Sequence, residues 1–156
     1  MSSKIFTIGY GNRNIQAFIK LLQKYEIEIL IDVRTNPFSR YNPDFSSKKL
    51  ELHLINNDIR YLFLGHELGG KPTDLSCYTN NVLDYEKIKS KSFFGNGIEE
   101  VIQISKSGLK SAIMCAELSP SLCHRKSIIG LHLKLLGFNV QHIDRDGAIL
   151  TELFEY

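Results

Sequence analysis

Apolar positions along the chain fall alternately into short β-like runs and helically spaced sets. A β-rich run from Lys4 to Ile8 ends at Gly9-Tyr10-Gly11, and Ile15, Phe18, Ile19, Leu21 and Leu22 then recur at helical spacing. A second strand, Ile27 to Val33, is nearly continuous in Ile, Leu and Val, the pattern of a strand covered on both faces. Thr35 to Phe45 holds two prolines and two asparagines without periodicity and reads as a long loop, the kind that often carries function. Ser46 or Ser47 is placed to cap a helix through about Asn56, and Arg60 to Leu64 reads as a third strand. Gly65 to Pro72 reads as a turn, with polar loop through Asn81. The pattern then predicts two helices, Val82 to Ser92 and Gly97 to Ser107, broken around Phe93-Phe94-Gly95-Asn96-Gly97, with Gly108 as a C-terminal cap. Ser111 to Cys115 makes a fourth strand. Ser119 and Pro120 supply an N-cap and first-turn proline for a helix reaching Leu136 and ended by Gly137, and Asn139 to Ile143 makes a fifth strand.

This alternation predicts a three-layer α/β/α domain with a mainly parallel sheet of about five strands and helices on both faces. Ligands in such sheets sit outside the carboxyl ends of the strands. The polar residues at those ends are Tyr10, Asp32 with Arg34, Cys115 with Glu117, and Asp144 with Arg145. At 156 residues the whole chain, 1–156, is expected to form one domain able to bury a core without metal or disulfide staples. A content of 43 % hydrophobic and 23 % charged residues is ordinary for a soluble globular protein, and no apolar run approaches a membrane span. The first residues read as a strand rather than a secretory signal, so the cytoplasm is the expected compartment. There, three cysteines are expected to stay reduced. A net charge of +2 gives no strong overall field, so nucleic-acid binding would need a local basic patch.

Chemistry concentrates in Cys115-Ala116-Glu117-Leu118-Ser119-Pro120-Ser121-Leu122-Cys123-His124-Arg125, at an expected strand-to-helix corner. Cys123 falls near the positive end of the following helix, which with His124 and Arg125 would favour a thiolate; the alternative is a buried packing cysteine. Cys115, ending an apolar strand, reads as structural. Glu117 is placed to accept a proton, hold a cation or cap the helix. Cys115, Glu117, Cys123 and His124 are all metal-ligand types, but their spacing matches no standard zinc motif. Nor does either cysteine have an arginine six residues later, as phosphatase and rhodanese loops require. Asp32 and Arg34 alternate along a strand and share a face, to meet either a ligand or each other. Arg34, Arg40 and Arg125 are candidates for an anion fork, with Tyr41 and Phe45 as stacking surfaces or plain loop anchors. Gly9-Tyr10-Gly11-Asn12-Arg13-Asn14 approaches the dinucleotide fingerprint, with Asp32 where a ribose-binding acid would fall, but asparagine holds the third glycine position.

Thr7-Ile8-Gly9-Tyr10, Asp32-Val33-Arg34 followed by Pro37 and Ser39, Leu68-Gly69-Gly70, and Cys115-x-Glu117-x-x-Pro120-x-x-Cys123-His124-Arg125 resemble the successive motifs of the family catalogued as domain of unknown function 488. Members often carry His-Ser after Thr-Ile-Gly where this chain has Tyr10-Gly11, a departure that further weakens the dinucleotide reading. The resemblance implies a small cytoplasmic α/β protein and leaves the reaction open. The resulting candidate site takes Asp32, Glu117, Cys123 and His124 as acid, base or nucleophile. Tyr10, Arg34, Ser39 and Arg125 are its candidate substrate-binding residues. A nucleotide-like or other anionic substrate fits these groups, under carboxylate or thiol chemistry of the hydrolase or transferase type. Two other readings compete: a non-catalytic nucleotide or nucleic-acid binding module using Arg34, Arg40, Lys48 and Lys49, and a metal-binding regulatory protein built on Cys115, Cys123 and His124. No cofactor is firmly implied, no metal is assigned, no membrane partner is expected, and the oligomeric state is open.

Overall fold

The computed structural model describes residues 4–118 and 124–150; the side chains of Arg125 and Ser127 also lie outside the description. In chain order the strands are β1 (Ile5–Gly9), β2 (Ile29–Asp32), β3 (Arg60–Phe63), β4 (Tyr78–Thr79), β5 (Val82–Leu83), β6 (Ser111–Cys115) and β7 (Val140–His142). The helices are α1 (Ile15–Lys24), α2 (Ser47–Ile55), α3 (Gly65–Leu68), α4 (Tyr85–Ile88), α5 (Ser92–Lys106) and α6 (Leu131–Leu135), the last preceded by a π-helical segment, Arg125–Gly130. Five strands form one sheet in the order β3-β2-β6-β1-β7, every pairing parallel; β4 and β5 form a separate antiparallel hairpin. The expected three-layer α/β/α architecture with a five-stranded parallel sheet is the architecture observed.

Alternation along the strands divides the core between the two faces. Phe6, Ile8, Leu30, Ala112 and Met114 pack with Ile15, Phe18, Ile19 and Leu22 of α1 and Leu50 and Leu54 of α2. Ile5, Ile31, Ile113 and Cys115 pack with Leu68 of α3, Phe94, Ile98 and Val101 of α5, and Ile128, Ile129 and Leu133. Helix α1 starts where the pattern places it, with the Asn14 side chain accepting the Ala17 amide at 2.7 Å. Its far end leads to β2, on one side of β6, whereas the segment following β6 crosses the opposite face to reach β7 beyond β1. The connections leaving the neighbours β1 and β6 therefore diverge, and a crevice opens at their carboxyl ends.

Three sequence expectations change. The Gly65–Pro72 turn opens with the short helix α3, and Val82 belongs to the hairpin rather than to a helix. Most notably, α5 runs unbroken through Gly95 and Gly97. Two glycines disfavour a helix by about 1 kcal/mol each, but here tertiary contact decides. A Cβ at Gly97 would lie 2.6 Å from Leu68 Cγ and 2.7 Å from Glu67 Cβ, so glycine is what allows α3 to touch α5. Gly95 faces open space. The helix before β7 ends as expected, with Gly137 at φ +93°; its expected cap at Ser119 and Pro120 lies outside the described residues. Among the described residues no helix is long and apolar enough to cross a membrane.

Gly95→Ala is expected to raise stability by roughly 0.5–1 kcal/mol, while Gly97→Ala lowers it by about 1–2 kcal/mol because overpacking outweighs the helix gain. Urea denaturation distinguishes the two, and equal effects at both positions would contradict the α3–α5 contact. A second expectation concerns His132 on α6, whose Nδ1 lies 2.9 Å from the Tyr85 hydroxyl and whose ring meets Phe94 edge-on. Burial, then the nearby Lys89 charge, holds its pKa below the ordinary 6.5. The unfolded chain therefore takes this proton first as pH falls, so His132 removes stability as pH drops through about 6.5 toward the lower folded value. The stability advantage of wild type over His132→Gln should shrink across that window, as read by denaturation at a series of pH values.

Candidate functional site

Strand β2 ends at Asp32, and two residues later the chain returns Arg34 to the same side. The two side chains meet as a bidentate pair: Arg34 Nε donates to Asp32 Oδ1 at 2.9 Å and Nη2 to Oδ2 at 2.7 Å. The Arg34 amide also donates to Oδ1, and the Tyr61 hydroxyl of β3 donates to Oδ2 at 2.7 Å. Asp32 is fully buried and the Arg34 side chain is 5 % exposed. Burial opposes the Arg34 charge, but the hydrogen bonds and charge of Asp32, helped by Tyr10, outweigh it and raise the guanidinium pKa. Burial first, then the Asp32 carboxylate, pushes the Tyr61 phenol upward too, so it stays a donor.

This pair leaves one guanidinium nitrogen over. Among the described residues Arg34 Nη1 is buried without a hydrogen-bond partner, and Arg34 lines a cavity of about 580 Å³ at the carboxyl rim of the sheet. Tyr10 shares that cavity; its ring stacks on Phe45 at 4.4 Å and lies 5.2 Å from the Arg34 guanidinium carbon. Cys115, Ala116, Glu117, His124 and Ile128 form the wall supplied by β6 and the segment after it. Thr35, Asn36 and Phe38 come from the loop after β2, Gly70 and Lys71 from the segment after α3, and Val82 and Leu83 from the hairpin.

Glycines set how closely these walls approach. A Cβ on Gly9 would sit 1.6 Å from the Glu117 carbonyl oxygen, and one on Gly11, at φ +47°, would collide with the Leu118 side chain. The Gly-Tyr-Gly turn is thus the seat over which the chain leaving β6 crosses the end of β1, locked by Tyr10 and Gly11 amides on the Cys115 and Ala116 carbonyls. Protein fills the space a dinucleotide pyrophosphate would need, which accounts for the incomplete fingerprint. Gly70 serves His124 similarly: a Cβ there would lie 2.9 Å from Nδ1, while Nε2 of the same ring lies 2.9 Å from the Leu68 carbonyl. A carbonyl only accepts, so Nε2 carries the hydrogen in this contact.

Of the sequence candidates, Tyr10, Arg34, Glu117 and His124 meet in this cavity. Asp32 lies behind Arg34 and is spent on holding it. Ser39 is a loop brace: its amide donates to Ser46 Oγ and its hydroxyl accepts the Asn42 amide. Phe45 is a core residue and Tyr41 points to solvent at 94 % exposure. Asp144 accepts the Asp146 and Ala148 amides and so builds a turn away from the cavity. Cys123 and the Arg125 side chain lie outside the described residues. The expectation of reduced thiols holds for Cys77, which is free and buried, and is corrected at Cys115, which is disulfide-bonded; compartment alone misjudged a thiol that strand geometry brings to the rim. Among the described residues no three His, Cys, Asp or Glu side chains come together as a metal set. Sequence reasoning missed Lys71, Phe38 and the hairpin. Lys71 had a signal, since it directly follows Leu68-Gly69-Gly70; Phe38 looked like an ordinary loop residue and Val82 like the start of a helix.

The family model described as Domain of unknown function DUF488 matches residues 14–131. The chain belongs to this family. Every described residue of the cavity except Tyr10 falls within the matched region. No curated protein and no solved structure matches the chain.

Breaking the buried pair on one side strands a charge. Asp32→Asn and Arg34→Met are each expected to cost about 3–5 kcal/mol, and the double variant less than their sum. A double-mutant cycle by urea denaturation checks this, and strict additivity would mean the pair is not coupled.

Proposed function

We propose that this family member is a small enzyme acting on a nucleotide-like or other anionic substrate in the rim cavity. One observation carries the reading: an arginine held rigid by Asp32 keeps a buried nitrogen, Nη1, without a partner among the described residues beside that cavity. Such a donor costs about 1–3 kcal/mol to leave unsatisfied, and a phosphate or carboxylate oxygen satisfies it in a charge-assisted bond. Lys71, exposed and lining the same cavity, supplies a second positive charge. Within this proposal Asp32 is a positioning residue, because Arg34 and Tyr61 occupy both of its oxygens.

Two groups in the cavity suit proton transfer. Glu117 is exposed and takes the proton of an attacking water or hydroxyl, while His124 in its protonated form gives a proton to the departing group and regains one from solvent after turnover. The bond formed is from the attacking oxygen to the substrate centre, and the bond broken is to the leaving group. Carboxylate chemistry is favoured over thiol chemistry at the described rim because the Cys115 sulfur is already bonded. A binding module without catalysis would use the same arginine and lysine; Glu117 and His124 meeting in one cavity favour the enzyme.

The test pairs binding with turnover. Calorimetry with inorganic phosphate and phosphate monoesters should show binding to wild type, weakened about tenfold in Lys71→Ala, an exposed position whose loss spares the fold. A panel of phosphate esters and nucleosides should show turnover lowered by roughly 10²-fold or more in Glu117→Gln. Wild type that binds no anion at millimolar concentration, or turnover unchanged in both Glu117→Gln and His124→Asn, overturns the proposal.

A further inference from the structure

We infer that the substrate carries a flat unsaturated ring beside its anionic group, as a nucleoside monophosphate does, and that Phe38 and Val82 grip the ring at the cavity mouth. This rests on the anion reading of Arg34 and adds a second recognition element. Phe38 is 64 % exposed and Val82 67 % exposed, yet both line the cavity that holds Arg34. Large apolar side chains left in water around one cavity contribute little to the fold, and apolar lips with a few placed polar groups are what a small-ligand site requires.

Both lips stand on ordered supports. The Phe38 loop is fastened by the Ser47 amide on the Pro37 carbonyl, by the Ser39 amide on Ser46 Oγ, and by Asn42 Nδ2 on the Arg13 carbonyl. Phe45 buries its far end. At the Val82 lip, Asn80 and Asn81 turn the hairpin at φ 52° and 65°, Cys77 is buried at its base, and the Tyr78 hydroxyl donates to the Pro72 carbonyl. A ring held between such supports meets surfaces that need not be ordered on binding, which limits the entropic cost. Three residues separate Arg34 from Phe38, with Thr35 and Asn36 lining the span between anion and ring. The cavity, about 580 Å³, lies within the range that takes ligands of this size. Arg34 and Lys71 against Glu117 leave its lining with one net positive charge before any charge on His124 is added, which suits a phosphate-bearing ligand.

Isothermal titration at fixed ionic strength, on wild type and Phe38→Ala, should use four probes: inorganic phosphate, ribose 5-phosphate, the common nucleoside monophosphates and a short single-stranded oligonucleotide. At least one monophosphate should bind wild type about tenfold or more tighter than ribose 5-phosphate, the size of one ring-stacking contact. Phe38→Ala should erase that preference while leaving phosphate and ribose 5-phosphate unchanged. An oligonucleotide that binds tighter still, loses affinity in Phe38→Ala and weakens steeply with salt identifies a nucleic-acid strand as the source of the same ring and phosphate. Equal binding of ribose 5-phosphate and every monophosphate, or a preference untouched by Phe38→Ala, overturns the ring grip while the anion reading stands. Absence of binding by all four probes removes both.

Discussion

The buried pairing of Asp32 with Arg34 is the interaction on which the rim of this protein depends. A carboxylate with no exposure is placed at the end of a central strand, where only a complete set of partners makes it tolerable. Arg34 supplies three donors, counting its amide, and Tyr61 from the neighbouring strand supplies the fourth. Desolvation works against both charges, and their mutual attraction in a water-poor setting offsets it. The consequence is directional. Because two guanidinium nitrogens are committed to Asp32, the third is fixed, and a flexible cation becomes a rigid donor.

Rigidity at Arg34 would mean little if the walls around it were not equally constrained. Here close approach of backbone to backbone does the work that side-chain packing does in the core. Gly9 and Gly11 let the chain leaving β6 cross the end of β1, and that crossing presents Glu117 and Cys115 to the cavity. Gly70 and the Leu68 carbonyl fix the His124 ring, and Gly97 lets α3, which carries Leu68, settle on α5. A single chain of contacts thus runs from a helix on one face of the sheet to an imidazole at its rim. The divergence of the connections after β1 and β6 opens the space that these contacts then shape.

Much of this was legible in the residues. Hydrophobic runs marked β1, β2 and β6, because strands covered on both faces must be apolar almost continuously. Helical spacing marked α1 for the same reason of burial, and a serine cap marked α2. What failed to read was governed by partners distant in sequence. Gly95 and Gly97 looked like a helix break because local propensity cannot register that Leu68 needs the space above Gly97. The hairpin of β4 and β5 is too short to show a period. Ser39 looked like part of a site because a hydroxyl in a motif beside an arginine has the same appearance whether it binds a ligand or braces a loop.

The sequence by itself determined the architecture and the family motifs at Asp32-Val33-Arg34, Leu68-Gly69-Gly70 and Cys115 to Arg125, since periodicity and residue type are properties of neighbours along the chain. It also determined that Asp32 and Arg34 share a face. Only the tertiary structure decided that they bind each other and leave Nη1 over, that Tyr61 completes the carboxylate, and that Phe38 and Val82 line one cavity with them. The physical reason is that hydrogen-bond satisfaction and burial are sums over everything within a few ångströms. Residues separated by dozens of positions enter those sums only once the sheet has ordered its strands.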